Sequence, residues 1–462
     1  MFVGREFEIQ QLNELWALNC FQLFILYGRR RVGKTSLLSE FCKNKKSIFF
    51  SAEQSTERSN LRKFSNIIFE HYNEENIEPF SSFENAIRYI NQRQNDPLVL
   101  VIDEFPYWVN VNESILSAFQ HLIDHTLKEG KLFIALSGSF VSFMEEKILS
   151  SKSPIFGRRT AQLKLTPFDY LTSIKFNPNM SLEKQMIVYG CFGGTPLYLE
   201  QINDLESIEE NIKRLYLRKL GYLYEEPLFL LKQEVNEPNV YMAIIEAISG
   251  GAVTSNEISQ KTGEVQAKCL KYISVLINLD ILTKEVPINE KQKSRKTQYK
   301  VNDSMFRFWF RYISSNKTLL ETGAIDITWK RKIEPDLSNF MGIGFEYICK
   351  QYLTYQNTMD ELPILATEIG RWWGTDNITK KQVEIDLIAK DGDKYIFAEC
   401  KWRNEVTDVP VYHKLVYNAQ VFSKHISEAW FMIFSKSGFS ENMLELAKRE
   451  SNIILISLND MV

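Results

Sequence analysis

Cysteine is sparse and scattered. Cys20, Cys42, Cys191, Cys269, Cys349 and Cys400 include no CxxC pair and have no histidine at metal-ligand spacing. A disulfide framework and a zinc ribbon are excluded, and reduced, mostly buried thiols in a cytoplasmic protein are expected. No stretch approaches the ~18 uninterrupted apolar residues of a membrane span, so no membrane partner is expected. The opening MFVGREFEIQQLNELW is charged early and has neither an apolar core nor a small-residue cleavage site, which predicts no secretory leader.

A large net charge is missing as well. The 55 Lys and Arg against 58 Asp and Glu give −3, which excludes a uniformly basic nucleic-acid coat. With 44% hydrophobic and 24% charged residues the chain is globular rather than disordered. No internal repeat or low-complexity segment occurs, and 462 residues suffice for roughly three domains of ~100–200 residues.

The pattern that is present changes several times along the chain. Residues 1–165 alternate apolar runs (CFQLFILYG, KKSIFFSAE, DPLVLVIDEF, KLFIALSGS) with amphipathic stretches, predicting an α/β domain with a mostly parallel sheet. Residues 166–236 read as a helical lid punctuated by Pro167 and Gly193-Gly194-Thr195-Pro196. Residues 237–301 read as three helices followed by two short strands, the order of a winged helix. The loop from Lys284 to Lys300 holds Lys284, Lys291, Lys293, Arg295, Lys296 and Lys300 against Glu285 and Glu290, a local balance of +4 where a wing meets phosphates. Residues 302–335 form a helical linker, and 336–462 a second αβ unit.

The strand FQLFILY runs into Gly28-Arg29-Arg30-Arg31-Val32-Gly33-Lys34-Thr35, followed by Ser36 in a helix, which matches G-x-x-x-x-G-K-[ST] in the required setting. Its glycines let backbone N–H groups close around phosphates, Lys34 reaches the β/γ-phosphates, and Thr35 offers a hydroxyl to Mg²⁺. About 70 residues on, Asp103 and Glu104 end an apolar strand. Asp103 is expected to hold Mg²⁺ and Glu104 to polarise the attacking water, so the expected cofactors are ATP and Mg²⁺.

In the last unit Asp386 lies in VEIDLIA, and Glu399 and Lys401 lie in FAECKW. The Lys390-Asp391-Gly392-Asp393 turn makes the two runs a hairpin. Period-2 alternation puts Glu399 and Lys401 on one face. Asp386 and Glu399 are candidate Mg²⁺ ligands, and Lys401 a group that positions or deprotonates water and steadies a phosphate in phosphodiester hydrolysis. Glu346 on the preceding helix is a third candidate carboxylate or a solvated position. Lys414 and Gln420 are expected at the surface, and Trp372, Trp373 and Trp402 in packing, with base stacking the alternative.

Six segments in order, Phe2-Val3-Gly4-Arg5-Glu6, GRRRVGKTS, VIDEFPYW, LSGSF, FGRRTAQLKLTPF and GCFGGTPLYL, resemble the AAA+-like archaeal-type ATPases that neighbour the STAND signalling ATPases. The resemblance implies an adenine contact from Val3, Gly4 and Arg5, a polar sensor at Ser137 or Ser139, an arginine near the γ-phosphate from Arg158 or Arg159, and a lid contact at Gly194-Thr195-Pro196. The D-x12-E-x-K spacing resembles the PD-(D/E)xK nucleases, and the domain order resembles ATPases with a C-terminal DUF234 region. No proline precedes Asp386, where the motif reads Glu384-Ile385-Asp386.

The expected protein is a P-loop ATPase with lid, winged helix and restriction-endonuclease-like domain, acting on DNA, with a homo-oligomer as one form. A STAND-type switch that binds nucleic acid or protein without cleavage is the alternative. A transcription regulator is less well supported, because the third winged-helix segment carries only Lys268 and Lys271 as basic residues.

Overall fold

The computed structural model describes residues 2–75, 77–93, 96–291, 294–423 and 426–462; Lys293, counted in the basic wing above, lies outside the described residues. The chain folds as two compact units, Met1–Pro167 and Phe168–Val462. Among the described residues no helix is long and apolar enough to cross a membrane.

The first unit contains α1 (Glu6–Ala17), β1 (Gln22–Tyr27), α2 (Lys34–Cys42), β2 (Ser47–Ser51), α3 (Glu57–His71), α4 (Phe83–Arg93), β3 (Leu98–Asp103), α5 (Phe105–Val111), α6 (Ser114–Leu122), β4 (Leu132–Gly138) and β5 (Ala161–Lys164). The strands lie in the order β2-β3-β4-β1-β5 and all pairs are parallel. Strands β1, β3 and β4 are buried along their whole length, as a sheet covered on both faces requires. On one face Leu12, Leu37, Leu38 and Phe41 of α1 and α2 pack on Phe24, Val99, Val101 and Phe133. On the other, Trp108 of α5 meets the rings of Phe50, Phe64 and Phe83 at 5.1–5.4 Å. Strand β5 was not foreseen, since AQLK is short, half-exposed and has no apolar run.

The second unit opens with α7 (Leu182–Phe192) and the turn at Gly193 and Gly194. It continues with α8 (Pro238–Ser249), α9 (Ser255–Thr262), α10 (Gln266–Asn278) and the antiparallel pair β6 (Leu282–Glu285) and β7 (Gln298–Val301), which is the winged helix. Local chemistry sets these boundaries. Pro238 stands in the first turn of α8, and Thr254 with Glu257 forms a capping box on α9.

After α11 (Ser304–Phe308), the C-terminal segment runs α12 (Leu337–Thr358), β8 (Glu368–Thr375), β9 (Gln382–Asp391), β10 (Lys394–Lys401), α13 (Val409–Phe422), β11 (Glu428–Ser435), α14 (Glu441–Arg449) and β12 (Ile453–Ser457). The sheet order is β12-β11-β10-β9-β8, antiparallel through β8, β9 and β10 and parallel from β10 to β12. An αβββαβ order on a mixed sheet is the restriction-endonuclease-like fold.

Two contacts within this unit need glycine. A Cβ on Gly194 would fall 1.9 Å from the Phe168 carbonyl oxygen, whose residue donates its N–H to the Gly194 carbonyl at 2.8 Å. A Cβ on Gly344 of α12 would stand 2.9 Å from Arg307 Nη2 and 3.6 Å from Gly190 of α7, so the two helices cross at paired glycines. Gly194→Ala is therefore expected to lower the thermal midpoint by about 5 °C or more, because backbone cannot move aside cheaply. Gly342→Ala, two residues earlier on α12 with nothing within 4 Å, should stabilise by about 0.5–1 kcal/mol. Thermal denaturation followed by circular dichroism reads both.

Candidate functional site

The phosphate loop leaves the end of β1 on backbone that only glycine adopts easily. Gly28 has φ +148°, and a Cβ there would fall 2.2 Å from the Leu165 carbonyl; Gly33, at the start of α2, has φ +91°. Lys34 is buried, and its Nζ donates to the carbonyls of Gly28 (2.8 Å) and Arg29 (3.0 Å). Within the loop Arg29 and Val32 are buried, Arg30 donates to Tyr107 Oη (2.5 Å), and Arg31 has φ +72°. Thr35 and Ser36 are exposed on the first turn of α2.

Because β4 lies between β1 and β3, its end stands between the loop and the acid pair. Thr35 Oγ1 donates to Asp103 Oδ2 at 2.8 Å, and Ser137 Oγ donates to the other oxygen, Oδ1. Glu104, in a left-handed conformation at φ +51°, accepts from the Ser139 N–H (3.2 Å) and from its Oγ (2.7 Å). Each carboxylate thus has its own serine, two residues apart on one strand end.

Arg5 donates to Glu8 (3.0 Å), to the Val32 carbonyl (3.4 Å) and to the Thr166 carbonyl (2.5 Å), so it ties the N-terminal segment to the phosphate loop; Val3 is half-buried beside it in sequence. Arg158 corrects an expectation. Its guanidinium is held by Asp124, closest at 2.7 Å, and by the Pro154 carbonyl at 2.9 Å. The Thr160 N–H to Leu23 carbonyl bond puts the Arg158 backbone near where β1 begins, whereas the phosphate loop starts where β1 ends, at Tyr27, which the charge of Arg159 reaches. Within one chain Arg158 is a structural ion pair, not a neighbour of the loop.

In the second unit Asp386 and Glu399 face each other across β9 and β10, one step beyond the Leu387–Ala398 pair. Asp386 Oδ2 accepts from the Cys400 N–H at 2.9 Å, and Lys401 Nζ donates to Glu399 Oε1 at 2.5 Å. Glu399 is 4% exposed. Burial, and then the Asp386 charge, push its carboxyl up against the pull of Lys401 and of the exposed Lys414. Burial works against the Lys401 charge, but Glu399 and Asp386 outweigh it and raise its pKa. Oxygen-only donors on adjacent carboxyls, one buried and one half-buried, fit a hard divalent cation, which would relieve their repulsion. Among the described residues no three His, Cys, Asp or Glu side chains gather to enclose a metal, so this pair would need water to complete the shell.

Arg371 belongs to no motif and enters only through strand pairing. Between the pairs Gly370–Ile388 and Trp372–Ile385, Arg371 alone on β8 opposes Asp386 and Leu387 on β9, a β-bulge at the acid residue. Arg371 stands 3.4 Å from Glu346, 3.6 Å from Glu384 and 3.7 Å from Glu285. Glu346 is thus part of this cluster rather than a solvated position. Burial pushes its carboxyl up to about 7, with Arg371 opposing and Asp386 adding to the rise.

The wing departs from expectation. Ile288, in the loop between β6 and β7, is 2% exposed in the core of the C-terminal sheet, and its N–H donates to the Arg371 carbonyl at 2.8 Å. Lys300 pairs with Glu285 (2.9 Å) and Lys296 with Glu290 (2.8 Å), so two of the basic residues are tied to glutamates within the wing. Trp372 packs on Phe422 and Trp402 on Phe345, Trp373 is half-buried opposite Glu384, and Gln420 is exposed.

Fold and site together define a P-loop ATPase of the AAA+ type with a winged helix and a C-terminal αβ domain. Residues 2–202 match the family described as an ATPase domain predominantly from Archaea, and residues 309–411 match DUF234, described as archaeal and bacterial proteins of unknown function. The uncharacterized protein MJECL04 of Methanocaldococcus jannaschii is 35% identical over 410 residues, covering 87% of this chain and 88% of that one. The uncharacterized ATP-binding protein MJ0423 of the same organism is 54% identical over 46 residues, 10% of this chain and 78% of that one. Among solved structures, the Walker-type ATPase PABY2304 of Pyrococcus abyssi aligns with a TM-score of 0.50 at 19% identity, covering 67% of this chain and 96% of that one, a likeness of fold. The chain belongs to this predominantly archaeal ATP-binding ATPase family, in the form that carries DUF234.

The raised Glu346 carboxyl makes a signed prediction. A group that binds its proton more tightly when folded contributes stability at low pH and loses it as pH rises through the folded pKa. Facing Arg371, Lys300, Glu285 and Asp386, Glu346 should lose that contribution between about pH 4.5 and pH 7. Glu346→Gln should therefore gain in thermal midpoint relative to wild type on going from about pH 5 to about pH 8, by several degrees. Melting curves at the two pH values check it; a difference independent of pH would sink the argument.

Proposed function

We propose that this protein is an ATP-hydrolysing switch whose C-terminal domain cleaves nucleic-acid phosphodiesters with Mg²⁺. The observation that carries the cleavage reading is the facing of Asp386 and Glu399 with Lys401 on the same strand edge, a half-buried and a buried acid with an ammonium beside them.

For the nucleotide, backbone N–H groups of Gly28 to Lys34 cradle the phosphates, and Lys34 exchanges its two carbonyl partners for the β/γ-phosphates. Thr35 and Asp103 would hold Mg²⁺, which supplies neutralisation of phosphate charge when bound. Glu104 accepts a proton from the attacking water, and Ser139, donating to both of its oxygens, sets its direction. Ser137 fixes Asp103 and so acts on the ion rather than on the nucleotide. Val3 and Arg5 flank the loop on the adenine side, while Arg158 would act only on a nucleotide bound by a neighbouring copy in a homo-oligomer.

At the second site Asp386 and Glu399 would hold Mg²⁺, and Lys401, released from Glu399, steadies the phosphate and the incoming water. DNA is the substrate class this arrangement suits. A regulatory switch without cleavage is the second reading. It is favoured by the docking of the wing on β8, which makes the winged helix a joint rather than a free DNA reader.

ATP turnover and plasmid cleavage with Mg²⁺ or Mn²⁺ test both. Lys34→Ala is expected to lose ATP binding, and Glu104→Gln to keep it while turnover falls about 10²–10⁴-fold. Asp386→Ala, Glu399→Gln and Lys401→Ala should keep ATP turnover and lose cleavage. If wild type turns over ATP but cuts neither duplex nor single strand in any nucleotide state, the nuclease reading falls and the regulatory one stands.

A further inference from the structure

The wing and the C-terminal sheet enclose a cavity of about 80 Å³ that neither chemistry above uses. Its charged lining is Glu285 from β6, Lys300 from β7, Arg307 from α11, Glu346 and Lys350 from α12, and Arg371 from β8, four basic side chains against two acidic. The exposed Ile343 and Lys350 stand at its mouth.

The donors here are under-used. Arg371 is 17% exposed, yet its three carboxylate neighbours stand at 3.4–3.7 Å, longer than a normal hydrogen bond. The Nε atoms of Arg371 and Arg307 are both buried with no acceptor. Buried N–H groups without partners are uncommon because the desolvation penalty goes uncompensated, so two on one cavity point to an occupant rich in acceptor oxygens. A guanidinium fork matches phosphate oxygens in geometry and charge. The volume exceeds a single water's share of about 30 Å³ but falls far below the roughly 300 Å³ of a site that engulfs a small organic ligand. One phosphate group fits, with the rest of its molecule outside.

We propose that this cavity binds one phosphodiester group of a nucleic-acid strand, gripped by Arg371 with Lys300 and Lys350 beside it. The proposal rests on the reading of the C-terminal domain as a nucleic-acid enzyme and names Arg371 as its positioning residue. The β-bulge sets Arg371 opposite Asp386, so a strand anchored at Arg371 is led past the acid pair. Glu285, paired with Lys300, is the group that the phosphate displaces from Arg371. The wing then contributes to nucleic-acid binding by walling this cavity.

The test uses the full chain in EDTA, where no cleavage occurs, and reads fluorescence anisotropy of a labelled duplex and of its single strand across a salt series. Arg371→Gln should weaken binding by about tenfold, the loss of a charged hydrogen bond, and Lys300→Gln and Lys350→Gln by a few-fold each. Each should lower the duplex salt slope by about 0.9. Arg371→Lys should restore the slope but not the full affinity, which a merely structural role would not produce. Unchanged affinity and slope in Arg371→Gln with a wild-type melting curve would overturn the proposal; if that variant does not fold, unchanged binding by both lysine variants does so. A free-anion site is distinguished by inorganic phosphate in the Lys34→Ala background. If phosphate raises the melting point there and Arg371→Gln abolishes the rise while DNA affinity is unmoved, the site serves free phosphate and the nucleic-acid claim is overturned. Absence of cleavage elsewhere bears on the nuclease reading alone.

Discussion

Asp103 is 4% exposed and accepts from Thr35 at Oδ2 and from Ser137 and the Glu104 N–H at Oδ1. A carboxylate at that depth without such partners costs several kcal/mol, so the site exists only if three strands end in register. Strand order supplies this. With β4 inserted between β1 and β3, the hydroxyl of Ser137 reaches Asp103 from the neighbouring strand while Thr35 reaches it from the helix that follows β1. Glu104 turns the other way on left-handed backbone and meets Ser139. Adjacent acids are thereby separated into two environments, the usual means by which two like groups take different roles.

The second unit meets the same constraint by different means. Glu399 is as deeply buried as Asp103 but is matched by an ammonium, and Asp386 by a backbone N–H. Burial first, and then the closeness of Asp386, drives the Glu399 and Glu346 carboxyls upward, a crowding of acids that calls for cationic partners. Arg371 answers part of that demand at distances too long for hydrogen bonds. A site with unsatisfied donors and crowded acceptors is one whose final geometry depends on what enters it.

What could be read from the sequence follows from how local each feature is. The phosphate loop is specified by consecutive residues with fixed backbone demands, so Gly28, Gly33, Lys34 and Thr35 stood out before any fold was known. Asp386, Glu399 and Lys401 needed only a turn and strand alternation, both local. The bulge at Arg371 could not be foreseen, because one residue opposing two is a property of the pairing between β8 and β9 and not of either strand. Strand β5 lacks an apolar run because it sits at the sheet edge, and Arg158 looked catalytic only while its partner Asp124 was unknown. Which of the six basic residues near the wing loop are paired is likewise a matter of tertiary geometry, Lys296 and Lys300 being held by glutamates of the same wing.

The docked wing decides which surfaces of the second unit can meet a long anion. An apolar anchor, Ile288, and a backbone hydrogen bond to Arg371 join β6 and β7 to the edge strand of the C-terminal sheet, covering an edge that would otherwise stay open to pairing. The third helix of the winged helix offers little in exchange, since Lys268 is engaged by Glu264 at 3.1 Å. At the seam the exposed Lys350 of α12 and the Glu285-paired Lys300 of the wing flank Arg371. Electrostatic focusing between low-dielectric walls is strongest in a narrow cleft of this kind, even on a chain whose net charge is −3. The winged helix thus takes part as one wall of the cleft, through Glu285 of β6 and Lys300 of β7.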